Sequence, residues 1–262
     1  MALTCEPEKQ NLEMNLKESL KIIFRRIFRI LLLLGLIWAL IFLFYPDLSR
    51  TVIQIMWKTQ KVMDKRSVND VLAEIPVESR LLAWFERANL PYPPPRLALL
   101  GFKAEKRLEL WAEKNATWVP IRTYPILAAS GVSGPKLREG DRQVPEGIYR
   151  INFLNPNSLY HLSLQINYPN DYDRRKAAEE ERTDLGGEIF IHGKAVSIGC
   201  LAIGDKAIEE LFTLVATVGL DKVTVILAPQ QDMQRLDINA PVRPWVPELY
   251  AEIRKALTAF KR

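Results

Sequence analysis

Histidine and cysteine are scarce in this chain, two of each in 262 residues, and these shortages narrow its chemistry before any motif is read. The cysteines, Cys5 and Cys200, form no C-x-x-C pair. Cys200, His192 and His161 together supply at most three donors, so no metal site is expected. No Lys/Arg-rich run is interleaved with aromatics, so the net charge of +5 is not the footprint of a nucleic-acid partner. Internal repeats are absent as well. With 48% hydrophobic and 26% charged residues the chain is not disordered, and its length allows one good-sized core with a non-globular appendage.

What is present begins with an apolar run from Ile27 to Tyr45 in which Arg29 alone is charged. A helix needs roughly 20 mainly apolar residues to cross a bilayer, and a buried helix of a soluble domain is rarely apolar on every face. Lys17, Lys21, Arg25, Arg26 and Arg29 crowd its N-terminal side. The positive-inside rule then keeps residues 1–26 in the cytoplasm and exports the rest. The run ends in Phe44-Tyr45-Pro46-Asp47 without a small-residue cleavage site, so residues 27–45 read as an uncleaved, single-pass signal anchor in the cytoplasmic (inner) membrane. This topology puts Cys5 and Cys200 on opposite sides of the membrane. Cys200 becomes an unpaired thiol in an oxidising compartment, either buried and inert or chemically employed.

Residues 46–95 read as a helical stalk, with helical spacing over Val68–Ile75 and Glu78–Asn89 and an apolar face of Leu81, Leu82, Phe85 and Ala88. Pro91-Tyr92-Pro93-Pro94-Pro95 ends it and marks a boundary. A catalytic domain over 96–229 follows, α+β but mainly β. Leu97–Lys103 and Arg107–Trp111 form a hairpin about Ala104-Glu105-Lys106, and further strands are expected at Trp118–Ile126, Gly147–Phe153, His161–Asn167, Glu188–His192 and Val223–Ala228. A helix is expected from Asp205, as N-cap, to Thr217. The charge run Asp171–Asp184 reads as a solvated loop or an active-site flap. In the extension 230–262, a last helix from Pro247 to Phe260 packs through Leu249, Ile253, Leu257 and Phe260.

The chemistry gathers in Ile189-Phe190-Ile191-His192-Gly193-Lys194-Ala195-Val196-Ser197-Ile198-Gly199-Cys200, which sets a histidine at a strand end and a cysteine after a glycine. A thiol near its ordinary pKa is only a few per cent thiolate at neutral pH and needs a base, for which His192 is the candidate. The amides of Gly199 and Cys200 are candidates for an oxyanion hole, against the plain reading of a tight turn that requires glycine. Spacing alone leaves both readings open.

The segment His192 to Cys200, H-G-x-x-x-S-x-G-C, resembles the signature of the L,D-transpeptidase (YkuD-type) catalytic domain. Ser130-Gly131, Gly134-Pro135-Lys136, Glu139-Gly140-Asp141 and Pro145-Glu146-Gly147-Ile148-Tyr149 stand upstream in the order that family uses. Asn167-Tyr168-Pro169-Asn170 and Leu185-Gly186-Gly187 resemble the murein L,D-transpeptidase subgroup related to YafK. The resemblance implies a β-sandwich with flanking helices, Cys200 as nucleophile, His192 as its base, and a pocket shaped by Ser197, Gly199 and Gly193. It implies no cofactor. The substrate would be a peptidoglycan stem peptide and the acceptor an amine of another stem or of a protein. Cleavage of diaminopimelate amides is the alternative activity. Ile198, where many members have a second histidine, and Leu201-Ala202 after the cysteine motivate a third reading, a non-catalytic wall-binding domain.

Overall fold

The structure, a computed structural model, describes residues 24, 26–30, 32–33, 65–236 and 243–260. It divides into two units, Met1–Lys65 and Arg66–Arg262. In the first, residues 24, 26–30 and 32–33 are helical; most of the expected anchor at 27–45 lies outside the described residues, as does Cys5. Among the described residues no helix is long and apolar enough to cross a membrane.

The second unit begins with helices α1 (Val68–Glu74) and α2 (Glu78–Arg87). Ser67 starts α1 through a capping box: its hydroxyl accepts from Asp70 N while the Asp70 carboxylate accepts from Ser67 N. Both helices lie where the sequence pattern places them, but they are built into the domain. Val71, Val77, Leu81 and Phe85 are buried in the main core, and Tyr92, among the prolines, sets its ring edge-on to Phe85 at 5.4 Å. Helical periodicity reveals an apolar face but not its partner, which is why these segments resemble a stalk in sequence.

Eight strands follow: β1 (Leu97–Phe102), β2 (Arg107–Lys114), β3 (Thr117–Pro125), β4 (Gly147–Ser158), β5 (His161–Ile166), β6 (Phe190–His192), β7 (Leu201–Ala202) and β8 (Val223–Ala228). They form a mixed sheet in the order β3-β2-β1-β8-β4-β5-β6-β7. The β1/β2 hairpin has the expected turn, and β1 pairs in parallel with β8. Every residue of β1 is buried because the two faces of this parallel pair are covered by different cores. Leu97, Leu99, Val223, Val225 and Leu227 face the main core, whereas Ala98, Leu100, Phe102, Ile226 and Ala228 face a second one. Helix α5 (Val246–Leu257) closes the second core with Leu249, Tyr250 and Ile253, so the C-terminal segment is part of the domain's packing.

Strand β4 runs past its expected end at Phe153, through Asn155-Pro156-Asn157, because it changes partners. Its first residues pair with β8 and the rest with β5, with register shifts on the way. This leaves β5, β6 and β7 beyond it; β6 ends in His192 and β7 begins just after Cys200. An isolated bridge from Ala128, just past β3, to Ala202 of β7 links the two ends of the sheet.

Two local expectations are corrected. The charge run is not a loop: Asn170 and Asp173 form a second capping box and start helix α3 (Asp171–Glu179). Asp205 is not the N-cap of helix α4 (Asp205–Val218) either; Gly204 holds that position with no side-chain cap, and the Asp205 carboxylate accepts from Lys194 N at 2.7 Å. Burial raises the Asp173 carboxyl from 3.8 to about 6, against the lowering by Asn170 N–H and the Tyr149 hydroxyl. Between these values the folded chain holds a proton that the unfolded chain has lost, so this group's contribution to stability falls as pH rises through the window. An Asp173→Asn variant keeps the cap acceptor, and urea unfolding across pH 4 to 6 should show a flatter stability profile than the parent.

Candidate active site

Strands β6 and β7 pair in parallel, with Ile191 opposite Leu201 and His192 opposite Ala202. Carrying that register back one residue sets Cys200 beside Phe190. Because strand side chains alternate, Cys200 falls on the face that carries His192. The Phe190 N–H donates to Cys200 Sγ at 3.4 Å, in keeping with this register, and the thiol donates to Glu188 O at 3.8 Å.

His192 is 1% exposed. Its Nδ1 lies 2.7 Å from Gly193 O, and since a carbonyl can only accept, Nδ1 carries the proton and Nε2 is left as the basic nitrogen. The ring lies 4.5 Å from that of Tyr160, tilted by 32°. Burial pushes the imidazole below its ordinary pKa while the Gly193 carbonyl pulls it up. At Cys200 burial pushes the thiol up, Phe190 N–H and the positive field of Lys136 pull it down, and Glu188 pushes it up again. The net result is a neutral thiol and a neutral imidazole. No hydrogen bond joins them among the described residues, and His192 does not line the cavity into which Cys200 opens.

That cavity, of about 440 Å³, is lined by Lys136, Glu139, Arg142, Glu188, Ile198 and Cys200 together with glycines of the same loops. The half-buried Cys200 is the unpaired thiol in it. Lys136 is buried, giving one N–H to Asp141 at 2.6 Å and another to Arg138 O at 2.8 Å.

The residues expected to build an oxyanion hole are engaged elsewhere. Cys200 N donates to Ser197 Oγ at 2.9 Å, and that hydroxyl donates to Cys200 O at 2.6 Å, closing the turn on itself. Gly199 N donates to Ser130 Oγ at 2.6 Å, and Ser130 donates to Arg142 O. Gly199 has φ +91° with no atom crowding its Cβ position, so it serves the turn's backbone conformation and not a close approach. Gly193 is the opposite case. A Cβ there would stand 2.6 Å from both Tyr160 O and Asp205 Oδ1, so hydrogen is all that fits between the β4–β5 turn and helix α4. Gly193→Ala should therefore cost roughly 1–3 kcal/mol in urea unfolding and displace the carbonyl that orients His192.

Sequence reading named Cys200, His192, Ser197, Gly199, Gly193 and the upstream loops; it missed the ring of Tyr160 and the part of Ser130 in holding the Gly199 amide. Ser130-Gly131 stands out as a motif, but nothing in a linear pattern says which amide its hydroxyl meets. His161, counted in the sequence as a possible third donor beside Cys200 and His192, pairs with Glu209 at 2.9 Å.

Comparison with known proteins bears on the same stretch of chain. Residues 100–225 match the YkuD family, described as the L,D-transpeptidase catalytic domain. An Escherichia coli K12 protein curated under the name "Putative L,D-transpeptidase YafK" is 39% identical over 116 residues, 44% of this chain; the match spans 45% of that relative, less than half its length. Among solved structures, the helical cell shape determining protein Pgp2 of Campylobacter jejuni aligns over 54% of this chain and 50% of its own, at 22% identity and TM-score 0.44. L,D-transpeptidase 1 of Mycobacterium tuberculosis aligns over 51% and 62%, at 13% identity and TM-score 0.30.

Proposed function

We propose, from the premise that residues 100–225 are an L,D-transpeptidase catalytic domain of the YkuD family, that this protein is a peptidoglycan acyltransferase with Cys200 as its nucleophile. The observation that carries the reading is that Cys200, a free thiol at a cavity, falls on the strand face of a buried histidine whose Nδ1 is committed to Gly193 O, which leaves Nε2 as the basic nitrogen. Sγ attacks the diaminopimelate carbonyl of a tetrapeptide stem, and its proton passes to Nε2 of His192. The same proton is then given to the departing D-alanine amine as the carbon–nitrogen bond breaks, leaving a thioester. An amine of a second stem or of a protein attacks the thioester and regenerates the thiol. Two steps with a covalent intermediate replace one difficult amide exchange. For the Gly199 and Cys200 amides to hold the oxyanion, the Ser130 and Ser197 hydroxyls must turn away from them; each has a second partner to keep.

The reading extends to place. We propose that residues 27–45 anchor the chain in the inner membrane with the N-terminus cytoplasmic, so that the catalytic domain works in the periplasm on the cell wall. Peptidoglycan lies on that side, which makes the topology and the chemistry consistent.

The test is incubation of the full chain, in detergent, with a disaccharide-tetrapeptide. A cross-linked dimer together with free D-alanine is the expected product. Trimmed monomer alone would mean that water resolves the thioester and the protein is a hydrolase or amidase of the same fold. No turnover and no acyl-enzyme would leave the non-catalytic wall-binding reading.

A further inference from the structure

Two influences act on the His192 imidazole, burial and the Gly193 carbonyl, and no charged side chain among the described residues adds to them. The charged groups around it are engaged with one another or with backbone. Lys194 Nζ donates to Leu159 O at 2.9 Å, the Asp205 carboxylate accepts from Lys194 N at 2.7 Å, and His161 pairs with Glu209 at 2.9 Å. On β5 the residue opposite is the uncharged Ser163, and the thiol of Cys200 is neutral. What governs this base is therefore what keeps water from it. On the solvent side stands the ring of Tyr160, 4.5 Å from the imidazole and tilted by 32°. Tyr160 is 40% exposed and the histidine beneath it 1%. A ring on a loose loop would make a poor wall, but this turn is tied on both sides. Tyr160 N donates to Ser158 Oγ at 3.1 Å, Leu159 O takes the Lys194 ammonium, and Tyr160 O lies so near Gly193 that no Cβ fits there. The next residue, His161, sits in the left-handed region at φ +77°, a strained conformation that persists only where the surroundings fix it. Its side chain is fixed by Glu209 of helix α4.

We propose that Tyr160 is a positioning residue for the base: its ring walls His192 off from water, and the turn that carries it is latched to helix α4 and to the end of β6. The inference rests on His192 as the base for Cys200 and adds what keeps it one. A dry imidazole disfavours its charged form, so it waits neutral, with Nε2 free to take the thiol proton. The ring supplies the wall and the hydroxyl is not needed for it. Loss of the ring admits water, which stabilises the imidazolium and takes the base out of play on the acid side of neutrality.

The experiment titrates the full chain, histidine-labelled and in detergent, by NMR. Two histidines give two signals, and the one missing from His192→Gln is His192. In Tyr160→Ala the His192 titration should move up towards the ordinary histidine value. In Tyr160→Phe, which keeps the ring and loses the hydroxyl, it should stay with the parent. Acylation by a carbapenem, followed by intact mass, reads the same shift. At pH 6 a histidine at its ordinary value is only about one quarter neutral, so the Tyr160→Ala rate there should drop to about a quarter of its own plateau, while the parent and Tyr160→Phe hold most of theirs. A merely structural role would lower the rate at every pH alike and move no inflection. Thermal melting checks that each variant is folded, and Tyr160→Thr, suited to a strand end, carries the same test should Tyr160→Ala not fold. An inflection that loss of the ring leaves in place, or one that Tyr160→Phe moves as far, overturns the proposal. Absence of any carbapenem adduct in the parent overturns acyl transfer at Cys200 instead, and the NMR titration, which needs no donor, still decides for or against the wall.

Discussion

A Cys200→Ala variant will form no acyl-enzyme with peptide donor or carbapenem, and will stay folded. The fold should hold because, among the described residues, Sγ makes two weak hydrogen bonds, at 3.4 Å to Phe190 N and 3.8 Å to Glu188 O, while the turn is closed by backbone groups and the Ser197 hydroxyl that the substitution leaves in place. A variant that still gains the acyl mass would remove Cys200 from the mechanism. The companion result is a pH profile. Burial raises the thiol and lowers the imidazole, so at neutral pH the resting pair is neutral on both sides. Acylation that draws its base from His192 should rise as the imidazole loses its proton, below the ordinary histidine value, and then stay level through neutrality. A thiol acting unaided would instead gain about tenfold per pH unit until its own raised pKa is reached. His192→Gln should therefore replace the plateau with that steady climb and lower the rate at pH 7 by roughly 10²–10⁴-fold. An unchanged profile in His192→Gln would deny His192 its role as base.

Much of this site is legible in the sequence because its parts are local. The strand ending in His192, the turn Ser197–Cys200 and the helix after Gly204 are short-range patterns, and the β1/β2 hairpin declares itself through the polar turn at Ala104–Lys106. Helix α3 was concealed by composition. In a run so rich in charge the signal is the reciprocal pair Asn170 and Asp173, three residues apart, and charge density reads as loop. What could not be read is what meets what across the chain. The Gly199 amide is taken by Ser130, 69 positions away, and α1 and α2 bury their faces in a core completed by strands far downstream. Asp205 looks like a cap because it begins a helix; only the fold shows Lys194 N within its reach. Pairing energy of this kind depends on loop closure over long separations, and residue type alone carries no record of it.

The second large effect belongs to Glu146, which stands in the upstream motif Pro145–Tyr149. It is 0% exposed, with Oε1 accepting from Lys103 Nζ at 2.9 Å and Gly134 N at 2.8 Å, and Oε2 accepting from Tyr250 OH at 2.8 Å. One carboxylate thus joins the end of β1, the loop that leads to Lys136, and helix α5. Desolvation presses the Lys103 ammonium toward losing its proton, and Glu146 is the first of the groups that hold it charged. Glu146→Ala should cost about 3–5 kcal/mol in urea unfolding, because it leaves a buried cation with the Gly134 and Val144 carbonyls and the weaker field of Asp141, and strips Tyr250 of its acceptor. Removing the cation as well should restore part of the loss. In Glu146→Ala/Lys103→Met no uncompensated charge remains, and the double variant should be more stable than Glu146→Ala alone. If the two losses simply add, the pair is not acting as a buried ion pair. Because Gly134 and Val144 flank the loop whose Lys136 and Arg142 line the Cys200 cavity, donor acylation in Glu146→Gln, which keeps the shape but not the charge, should fall more than its stability does.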